Sequence, residues 1–406
     1  MRDGWRLEIL GEISEVIMGR QLSPSKKMGT RPRPYIRAAN IGSWGISLDE
    51  IFEMDFTEDE EARFASRIGD TLLVEGGNEK SVGCPGLVTK YEAGLCIQNT
   101  VIRCRVKNTE VFHPEFQYQV LRYMYWRRDF AELCAGTTIM HLGQKRAELV
   151  PILLPPLPEQ KRIVDLISSV DLYIEALQQQ LESVKRSRNA VLHEMLIAGG
   201  DDWVETTLGQ ISKCAGGCAF PDAFQGNKEG IPFIKVSDMN LQDNEKYIKT
   251  SNNSVSSEVV DDLRLRIWDK GTVIFPKVGA ALLTEKRRIL TTKTIFDNNI
   301  MGLVPNERVL SEFLFLLMLQ IRFSDHVQPG AVPSIKNSIV EAISVLLPSL
   351  DEQKRIVTII SELDSFIHCT QTSMNRTKAL RSGLLSQLLS GEHEIPVSYD
   401  KVIGAA

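Results

Sequence analysis

The stretch LLPPLPEQKRIVDLISSVDLYI at residues 153–174 returns as LLPSLDEQKRIVTIISELDSFI at residues 346–367. Inside both stretches the hexapeptide EQKRIV is identical, at 159–164 and at 352–357, an offset of 193 residues. A six-residue identity within a longer similar stretch is very unlikely by chance, and self-similarity at a fixed offset indicates a repeated structural unit. We therefore interpret the chain as a tandem duplication of one structural module.

Weaker similarity extends from this stretch toward the beginning of each copy. The matching segments are Trp5 and LGEI (10–13) with Trp203 and LGQI (208–211), YIRAANI (35–41) with FIKVSDM (233–239), GDTLLVEGG (69–77) with KGTVIFPKVG (270–279), and QNTVI (98–102) with DNNIM (297–301). The region around EQKRIV is thus nearly the same in both copies, whereas the parts before it have diverged. We expect the similar regions to share one task and the divergent regions to perform two different ones.

A long heptad pattern begins at EQKRIV in both copies. Its apolar residues follow one another in alternating steps of four and three, which is typical of a coiled-coil seam. Arg188 interrupts the first seam, and Thr370, Thr377 and Arg381 occupy positions of the second, which is therefore the more polar one. About forty residues at ~1.5 Å each give a helix of roughly 60 Å. The predicted seam residues are Ile163, Ile167, Val170, Ile174, Leu177, Leu181 and Val184 in the first helix, and Ile356, Ile360, Leu363, Ile367, Met374, Leu384 and Leu388 in the second.

The ends of both helices carry local signals. The prolines of the segment 155–158 stop the preceding apolar run and permit only a helix start. Ser349 stands three residues before Glu352, which is the spacing of a capping box. Glycines at 199–200 and at 391 predict the C-terminal ends.

Each helix could pack only against its own domain, or the two could pair with each other. Heptads sustained over this length, and present twice, favour pairing. An antiparallel pair would place the two globular parts at opposite ends with pseudo-twofold symmetry, and the helices would then fix a distance between two binding surfaces.

The globular parts mix short apolar stretches with Gly and Asn turns, which indicates strands and loops. A helix-like segment follows near the end of each, at 116–126 and 313–323. The predicted fold class is α+β, with two globular mixed α/β domains separated by a pair of long antiparallel coiled-coil helices, arranged as a pseudo-twofold tandem duplication. The predicted boundaries are 1–155 for the first domain, 156–198 for the first helix, 199–349 for the second domain, 350–392 for the second helix and 393–406 for a C-terminal tail.

Composition narrows the function class. The 406 residues are 43% hydrophobic and 24% charged, which is normal for a globular protein of two or three domains. No apolar run approaches the ~20 residues of a membrane span, and the first residues lack the apolar core of a signal peptide, so we expect a cytoplasmic protein with no membrane contact. Seven scattered cysteines indicate reduced thiols, and the closest pair, Cys214 and Cys218, lacks two further metal ligands nearby, so no metal site is predicted.

Motifs for catalysis are missing from the sequence. It contains no GxxxxGK[ST] phosphate loop, no GxGxxG before a helix, no HExxH and no GxSxG. The Asp- or Asn-Pro-Pro-aromatic segment expected of an adenine methyltransferase is also absent. Its histidines lie far apart, and its paired carboxylates occupy polar stretches, where a solvated face is the simpler interpretation. We therefore predict a non-catalytic chain.

Basic and amide side chains accumulate near predicted turns in both halves. Arg and Lys neutralise phosphates, and Arg, Asn and Gln can bind base edges through two hydrogen bonds. A single charge run is usually only a solvated face, but this pattern recurs at equivalent places in both copies. The net charge of −5 is a mild argument against nucleic acid. The predicted DNA-binding residues are Lys26, Lys27, Arg31, Arg33, Tyr35, Arg37, Asn40, Asn78, Lys80, Thr137, Thr138, His141 and Lys145 in the first half, and Lys235, Asn240, Lys277, Lys286, Arg287, Arg288, Asn298, Lys336 and Asn337 in the second.

The segment GTTIMHLGQKRAELVPILLPPLPEQKRIV (136–164), followed by a long heptad helix and repeated in weaker form at 330–357, closely resembles the specificity subunit of type I restriction–modification enzymes. The resemblance covers essentially the whole chain. The second copy departs from the pattern of the first at 333–335 and at 350–351. The helix residues match the family's motif position by position. In the globular domains only the neighbourhoods of the loops correspond to the family.

This resemblance implies a DNA-reading function. Each globular domain would be a target-recognition domain that reads one half of a bipartite, asymmetric site in double-stranded DNA, and the helices would set the spacer. Two methyltransferase subunits would dock on the helices, and restriction (translocase) subunits would join them. No cofactor is expected in this chain: S-adenosylmethionine would belong to the methyltransferase partner, and ATP and Mg to the translocase partner.

Two alternatives belong to other function classes. A structural protein could use the coiled coil to join two adaptor domains without any role on DNA, but this explains neither the basic and amide loops nor the EQKRIV signature. A self-contained restriction enzyme would need methyltransferase and nuclease motifs, which the sequence lacks.

Overall fold

The structure is a computed structural model. It describes residues 3–22, 30–42, 45–134, 139–197, 199–200, 202–219, 223, 225–327 and 332–403. The chain divides into two compact units: unit 1 comprises Met1–Gln178 and Ser373–Ala406, and unit 2 comprises Gln179–Thr372. Because both divisions fall inside long helices, each unit contains part of both helices.

Unit 1 is built from short strands and helices. Its strands are β1 (Arg6–Ile9), β2 (Ser14–Met18), β3 (Pro32–Ile36), β4 (Ile41–Gly42), β5 (Gly45–Ile46), β6 (Phe52–Asp55), β7 (Thr71–Val74), β8 (Gly76–Gly77), β9 (Pro85–Leu87), β10 (Cys96–Ile97), β11 (Val101–Val106), β12 (Met140–His141) and β13 (Pro151–Leu154). Its helices are α1 (Leu10–Ile13), α2 (Glu58–Phe64), α3 (Pro114–Arg127), α4 (Asp129–Leu133), α5 (Gln144–Glu148), the first part of α6 (Leu157–Ile197), the last part of α11 (Leu350–Leu389) and α12 (Asp400–Ile403).

The centre of unit 1 is an antiparallel sheet with the strand order β2-β11-β7-β9. Alternate side chains of its strand β7 enter two different buried clusters: Leu73 packs with Phe116 and Leu121 of α3, whereas Leu72 and Val74 pack on the other face. A strand that is buried on both faces needs a continuous apolar run, which Leu72, Leu73 and Val74 provide. A second sheet has the order β10-β3-β6, and β1 pairs with β13.

Unit 2 repeats this plan. Its strands are β14 (Val204–Thr207), β15 (Ser212–Gly216), β16 (Ile231–Ile234), β17 (Tyr247–Ile248), β18 (Asn253–Val255), β19 (Val273–Pro276), β20 (Arg288–Leu290), β21 (Ile295–Phe296), β22 (Ile300–Pro305) and β23 (Ser344–Leu347). Its helices are α7 (Leu208–Ile211), α8 (Ser257–Asp262), α9 (Ser311–Gln320), α10 (Asn337–Glu341), the last part of α6 and the first part of α11.

The topology of the two units shows the duplication directly. Strands β15-β22-β19 of unit 2 correspond to β2-β11-β7 of unit 1, and β14-β23 corresponds to β1-β13. A parallel pair occurs at the same place in both, with β10 beside β3 and β21 beside β16. Even single hydrogen bonds recur, since Leu10 N donates to Val150 O and Leu208 N donates to Ile343 O. The predicted tandem α+β duplication is confirmed.

The long helices were predicted over 156–198 and 350–392 and are observed as α6 and α11. Ser349 caps α11 as expected, because its Oγ accepts a hydrogen bond from Glu352 N at 3.3 Å. The Glu352 carboxylate does not complete the capping box and binds Arg355 instead, at 2.7 Å. Gly199 and Gly391 follow the helices with positive φ angles of 54° and 75°, the left-handed conformation common just after a helix.

In unit 1 the described part of the segment predicted as a C-terminal tail, 393–406, contacts the beginning of α6. The Arg162 Nε atom donates to Asp400 Oδ1 at 2.7 Å, and the Tyr399 hydroxyl donates to Asp165 Oδ2 at 2.8 Å. Ile395 is buried in the same cluster as the first turns of α6. Ile395 and the partly buried Tyr399 of this segment therefore join the core of unit 1.

Candidate DNA interface and helix seam

The predicted seam residues lie on buried or partly buried positions of α6 and α11. In unit 1 Ile163 and Ile167 share a hydrophobic cluster with Leu385 and Leu388 of α11. Further along unit 1, Asp171 of α6 pairs with Arg381, so residue numbers rise on one helix while they fall on the other. The two helices are therefore antiparallel in unit 1.

Unit 2 has the same arrangement. Leu192 and Leu196 of α6 share a cluster with Ile356 and Ile360 of α11, and Arg188 Nε lies 2.9 Å from Asp364 Oδ1. The same clusters also contain side chains of the globular segments. In each unit the two helices therefore pack against each other and against the domain of that unit at once, so helix pairing and packing onto a domain are both present.

The glutamine of EQKRIV joins helix and domain in unit 1. Gln160 is fully buried, and its Nε2 donates to the carbonyl oxygens of Val111 and Pro155 at 2.9 and 2.8 Å. Its Oε1 accepts a hydrogen bond from His113 N at 2.8 Å. The amide thereby holds the loop before α3 against the first turn of α6.

Gln353 makes the same three bonds in unit 2. Its Nε2 donates to Arg308 O and Pro348 O at 2.9 and 3.0 Å, and its Oε1 accepts from Leu310 N at 2.9 Å. The repetition gives a physical reason for the glutamine in the identical hexapeptide, because its side-chain amide supplies the two donors and the acceptor that these three bonds use. The sequence contained this signal, but the role of the glutamine was not predicted.

Three loops meet in unit 1 in what we call junction 1, defined by residues 75–80, 98–100 and 139–145. Glu75 N donates to Thr100 O at 2.9 Å, and Leu142 N donates to Glu75 O at 2.8 Å. The Glu75 carboxylate lies 3.1 Å from His141 Nδ1. Junction 1 brings together four of the predicted residues, which are Asn78, Lys80, His141 and Lys145; all four are exposed.

Junction 2 is the equivalent meeting of loops in unit 2, defined by residues 277–279, 297–299 and 332–337. Lys277 N donates to Asn299 O at 2.8 Å, and Ile335 N donates to Lys277 O at 3.1 Å. Lys277 therefore occupies the place of Glu75. Junction 2 also holds four predicted residues, which are Lys277 and Asn337, both partly buried, and Asn298 and Lys336, both exposed.

Several predicted DNA-binding residues have internal roles in the structure. Tyr35, Asn40 and Arg287 are buried. The Asn40 amide donates to the carbonyl oxygens of Ser47 and Glu50 at 3.1 and 2.9 Å. A side chain enclosed in this way cannot reach a base edge, so we correct the sequence-based selection and leave these three out of the proposed interface.

Arg287 shows why its neighbourhood was misleading. Its guanidinium lies 4.1 Å from the centre of the Phe323 ring, and it donates to Glu285 at 2.5 Å and to Ile321 O at 3.1 Å. Burial lowers the pKa of Arg287, while Glu285 opposes that shift. Arg288 is also turned inward, donating to Met239 O at 2.8 Å, and burial lowers its pKa as well.

Other predicted cations are paired with carboxylates. Arg33 donates to Glu61 at 2.8 Å, which raises the pKa of Arg33, and Arg31 binds the same carboxylate at 3.0 Å. Arg37 pairs with Glu50 at 2.5 Å. These pairs reduce the positive potential that the sequence pattern suggested.

The remaining predicted residues fall into two groups. Lys286 contacts Asn240, and Lys235 is partly buried at the beginning of a 3₁₀ turn. Lys26, Lys27, Thr137 and Thr138 lie outside the described residues.

Within the described part of the chain, none of the helices combines the length and hydrophobicity needed to cross a membrane.

Two copies of one mixed α/β domain, each fastened to paired long helices and each carrying a polar loop junction, define a duplicated two-domain protein. The family model described as "Type I restriction modification DNA specificity domain" matches residues 2–186 and 200–378. The chain therefore belongs to the family of type I restriction–modification DNA specificity subunits, and the predicted family is confirmed.

Similar proteins come from archaea and bacteria. The putative type I restriction enzyme MjaX specificity subunit of Methanocaldococcus jannaschii is 22% identical over 96% of this chain and 94% of its own length. The EcoR124I/EcoR124II specificity subunit of Escherichia coli is 23% identical over 60% of this chain and 61% of its own.

Solved structures share the fold. A chain from a study of complex assembly and conformational transition of the type I restriction–modification system has a TM-score of 0.66, at 18% identity, and the match covers 96% of this chain and 98% of that one. The S subunit from M. genitalium has a TM-score of 0.54, at 15% identity, and the match covers 96% and 97%.

Proposed function

We propose that this DNA specificity subunit reads a bipartite site in double-stranded DNA, with one half-site for each domain. The observation that carries the proposal is the pair of equivalent loop junctions with different side chains, Glu75 with His141 in one and Lys277 in the other. Identical domains related by a twofold axis would read a palindrome. Domains of one fold with different junctions are suited to two unrelated half-sites.

The chemistry of the junctions suits base edges in the major groove. A lysine donates to guanine O6 and N7, a carboxylate accepts from the amino group of cytosine, and Asn binds adenine through two hydrogen bonds. The exposed Lys80, Lys145 and Lys336 at the junctions suit phosphate oxygens.

The long helices set the spacer between the half-sites and dock two methyltransferase subunits. Tyr173 and Phe366 support the docking role, because they are related by the repeat offset of 193 and are 55% and 44% exposed. Aromatic side chains left exposed on a packed helix are typical of protein interfaces. Restriction (translocase) subunits would join the complex through these partners.

This chain serves as a non-catalytic subunit of that complex. The methyltransferase supplies the S-adenosylmethionine site, and the translocase supplies the ATP and Mg site, in keeping with the absence of their motifs from this sequence. We place the complex in the cytoplasm, where it would have access to chromosomal DNA.

The experiment that tests the proposal is a domain exchange in the complete methyltransferase complex. Residues 1–155 are replaced by the corresponding domain of another specificity subunit, and methylated adenines are mapped by sequencing. We expect one half of the methylated motif to change while the other half and the spacer remain. A change in both halves, or a motif without a spacer, would contradict the proposal.

A structural protein without a role on DNA is distinguished by charge changes at the junctions. Lys277→Glu with Lys336→Glu should abolish methylation of the parental site while helix pairing and complex assembly stay intact. Arg287 and Arg288 are unsuitable for this test, because their guanidinium groups are held inside unit 2.

A further inference from the structure

A single carboxylate on α6 joins three parts of unit 1. The Arg381 Nη2 atom of α11 lies 2.7 Å from Asp171 Oδ2, and Arg122 Nη1 of α3 lies 3.3 Å from the same oxygen. Arg381 also donates to Gln119 Oε1 of α3 at 2.9 Å. Both guanidinium groups lie within 5 Å of the Trp126 ring centre, at 4.9 and 4.7 Å. Asp171 thus connects the partner helix and the recognition domain.

Unit 2 contains the equivalent arrangement on α11. Asp364 Oδ1 accepts from Arg188 Nε of α6 at 2.9 Å, and Asp364 Oδ2 lies 3.5 Å from Lys246 Nζ. Lys246 belongs to the recognition domain, where it lies 5.8 Å from the ring centre of Phe315 in α9. We call Asp171 and Asp364, with their cations, the two carboxylate clamps.

The two clamps are related by the sequence repeat. Adding the offset of 193 to Asp171 and Arg188 gives Asp364 and Arg381. Each clamp joins α6 to α11 within its own unit. The recognition-domain cations, Arg122 and Lys246, do not correspond in sequence. The two divergent domains therefore contact equivalent carboxylates through cations at non-equivalent positions.

Burial makes these contacts selective for one register. The side chains of Arg381 and Arg188 are only 3% and 11% exposed, so neither guanidinium has bulk water as a replacement for its carboxylate. Removing one partner of a buried ion pair costs more than forming the pair gains, because an unpaired charge stays buried. A slip of one residue would move the carboxylate by about 1.5 Å and turn it by about 100° around the helix axis. A buried polar residue at a seam position sets register in coiled coils in the same way.

We propose that Asp171 and Asp364 are positioning residues for DNA specificity: each clamp fixes the register of the helix pair and the attachment of one recognition domain, so that the complex accepts a single spacer length. This inference rests on the proposed function, because it assumes a bipartite site. The apolar seam alone sets register less strictly, since Thr370, Thr377 and Arg381 replace apolar residues in α11.

The test uses the specificity subunit assembled with its methyltransferase partner. Asp171→Asn and Asp364→Asn keep the size of each side chain and remove its charge. A DNA library holds both half-sites constant and varies the spacer from two base pairs shorter to two base pairs longer than the parental length. We expect discrimination between the parental and neighbouring spacers to fall by about tenfold, with both half-sites unchanged.

Two further variants separate positioning from stability. Glu182→Gln removes an exposed ion pair with Lys185 on α6 and should leave spacer discrimination as in the parent. Lys246→Met removes only the domain side of the second clamp and keeps the Arg188 pair. We expect it to fold as the parent does and still to broaden the accepted spacers.

The possible outcomes test the clamp inference and the proposed function separately. The clamp inference is overturned if the two Asn variants and Lys246→Met methylate only sites with the parental spacer, at whatever rate. Spacer discrimination that falls equally in Glu182→Gln overturns it too. A parental complex that methylates a continuous site overturns the proposed function itself, and that result is visible before any variant is compared.

Discussion

At the scale of single residues, the two recognition domains carry different side chains at the equivalent positions Glu75 and Lys277. Both are held by equivalent backbone hydrogen bonds at their junctions, so the same position presents a carboxylate in one domain and an ammonium group in the other. Hydrogen-bond acceptors and donors select different base edges. We expect this position to contribute to the difference between the half-sites.

Replacing Lys277 by methionine tests that expectation. The variant should lose roughly 1–3 kcal/mol of discrimination at one position of the second half-site, because one donor to a base edge is removed, while the first half-site stays unchanged. Methylation of randomised half-site libraries by the complete complex measures this. The control is Lys213→Met, an exposed lysine on strand β15. Weakening that is uniform over all sequences, with a smaller salt dependence, would instead assign Lys277 to a phosphate.

Eight of the predicted DNA-binding residues lie at the two junctions, four at each, whereas other predicted residues are buried or paired. Selection by residue type favoured cations such as Arg33 and Arg287, whose carboxylate partners or burial depend on folding. The Arg33 partner, Glu61, lies 28 residues away, and no local pattern indicates that contact. Glu75 was not among the predicted residues because the selection looked for basic and amide side chains, although the alignment of GDTLLVEGG with KGTVIFPKVG sets it opposite Lys277.

At the scale of elements, the long helices were the most predictable part of the molecule. Heptad periodicity, the prolines before α6 and the serine cap of α11 are local signals, and local signals are legible in a sequence. The strand order was not predicted, because pairs such as β3 with β10 join segments about sixty residues apart. The attachment of each helix to its domain was likewise invisible, since Gln160 and Gln353 act through backbone groups of distant loops.

Substituting the buried glutamine of the second EQKRIV should weaken the attachment of helix α11 to the second domain. Gln353→Met leaves two carbonyl oxygens and one N–H without their partner, and an unsatisfied buried polar group costs about 1–3 kcal/mol. We expect the free energy of unfolding of the full chain to fall by at least that amount, measured by urea denaturation. Gln179→Met, on an exposed position of α6, is the matched control. Equal effects of the two substitutions would contradict the anchoring role.

At the scale of the whole molecule, charge argues for a subunit that depends on partners. The net charge is −5, and several cations selected from the sequence, among them Arg31, Arg33 and Arg37, are paired with carboxylates of their own domain. Phosphate contacts supply much of the affinity for DNA. The exposed lysines at the junctions can still contact phosphates, so this chain is suited to specify a sequence while other subunits supply the remaining contacts to the DNA backbone.

We therefore expect the isolated chain to bind its site weakly and with strong salt sensitivity, and the complex with methyltransferase subunits to bind it tightly. Gel-shift titrations at about 50 and 200 mM salt, on the parental site and on a scrambled site, measure both properties. The partners should raise affinity for the parental site more than for the scrambled one, because they engage DNA that the junctions have already positioned. Equal site-specific affinity with and without partners would show that the two domains alone supply the binding energy. In that case the ion pairs within the domains would have to open on DNA, and substituting Glu61, which holds both Arg31 and Arg33, should then strengthen binding.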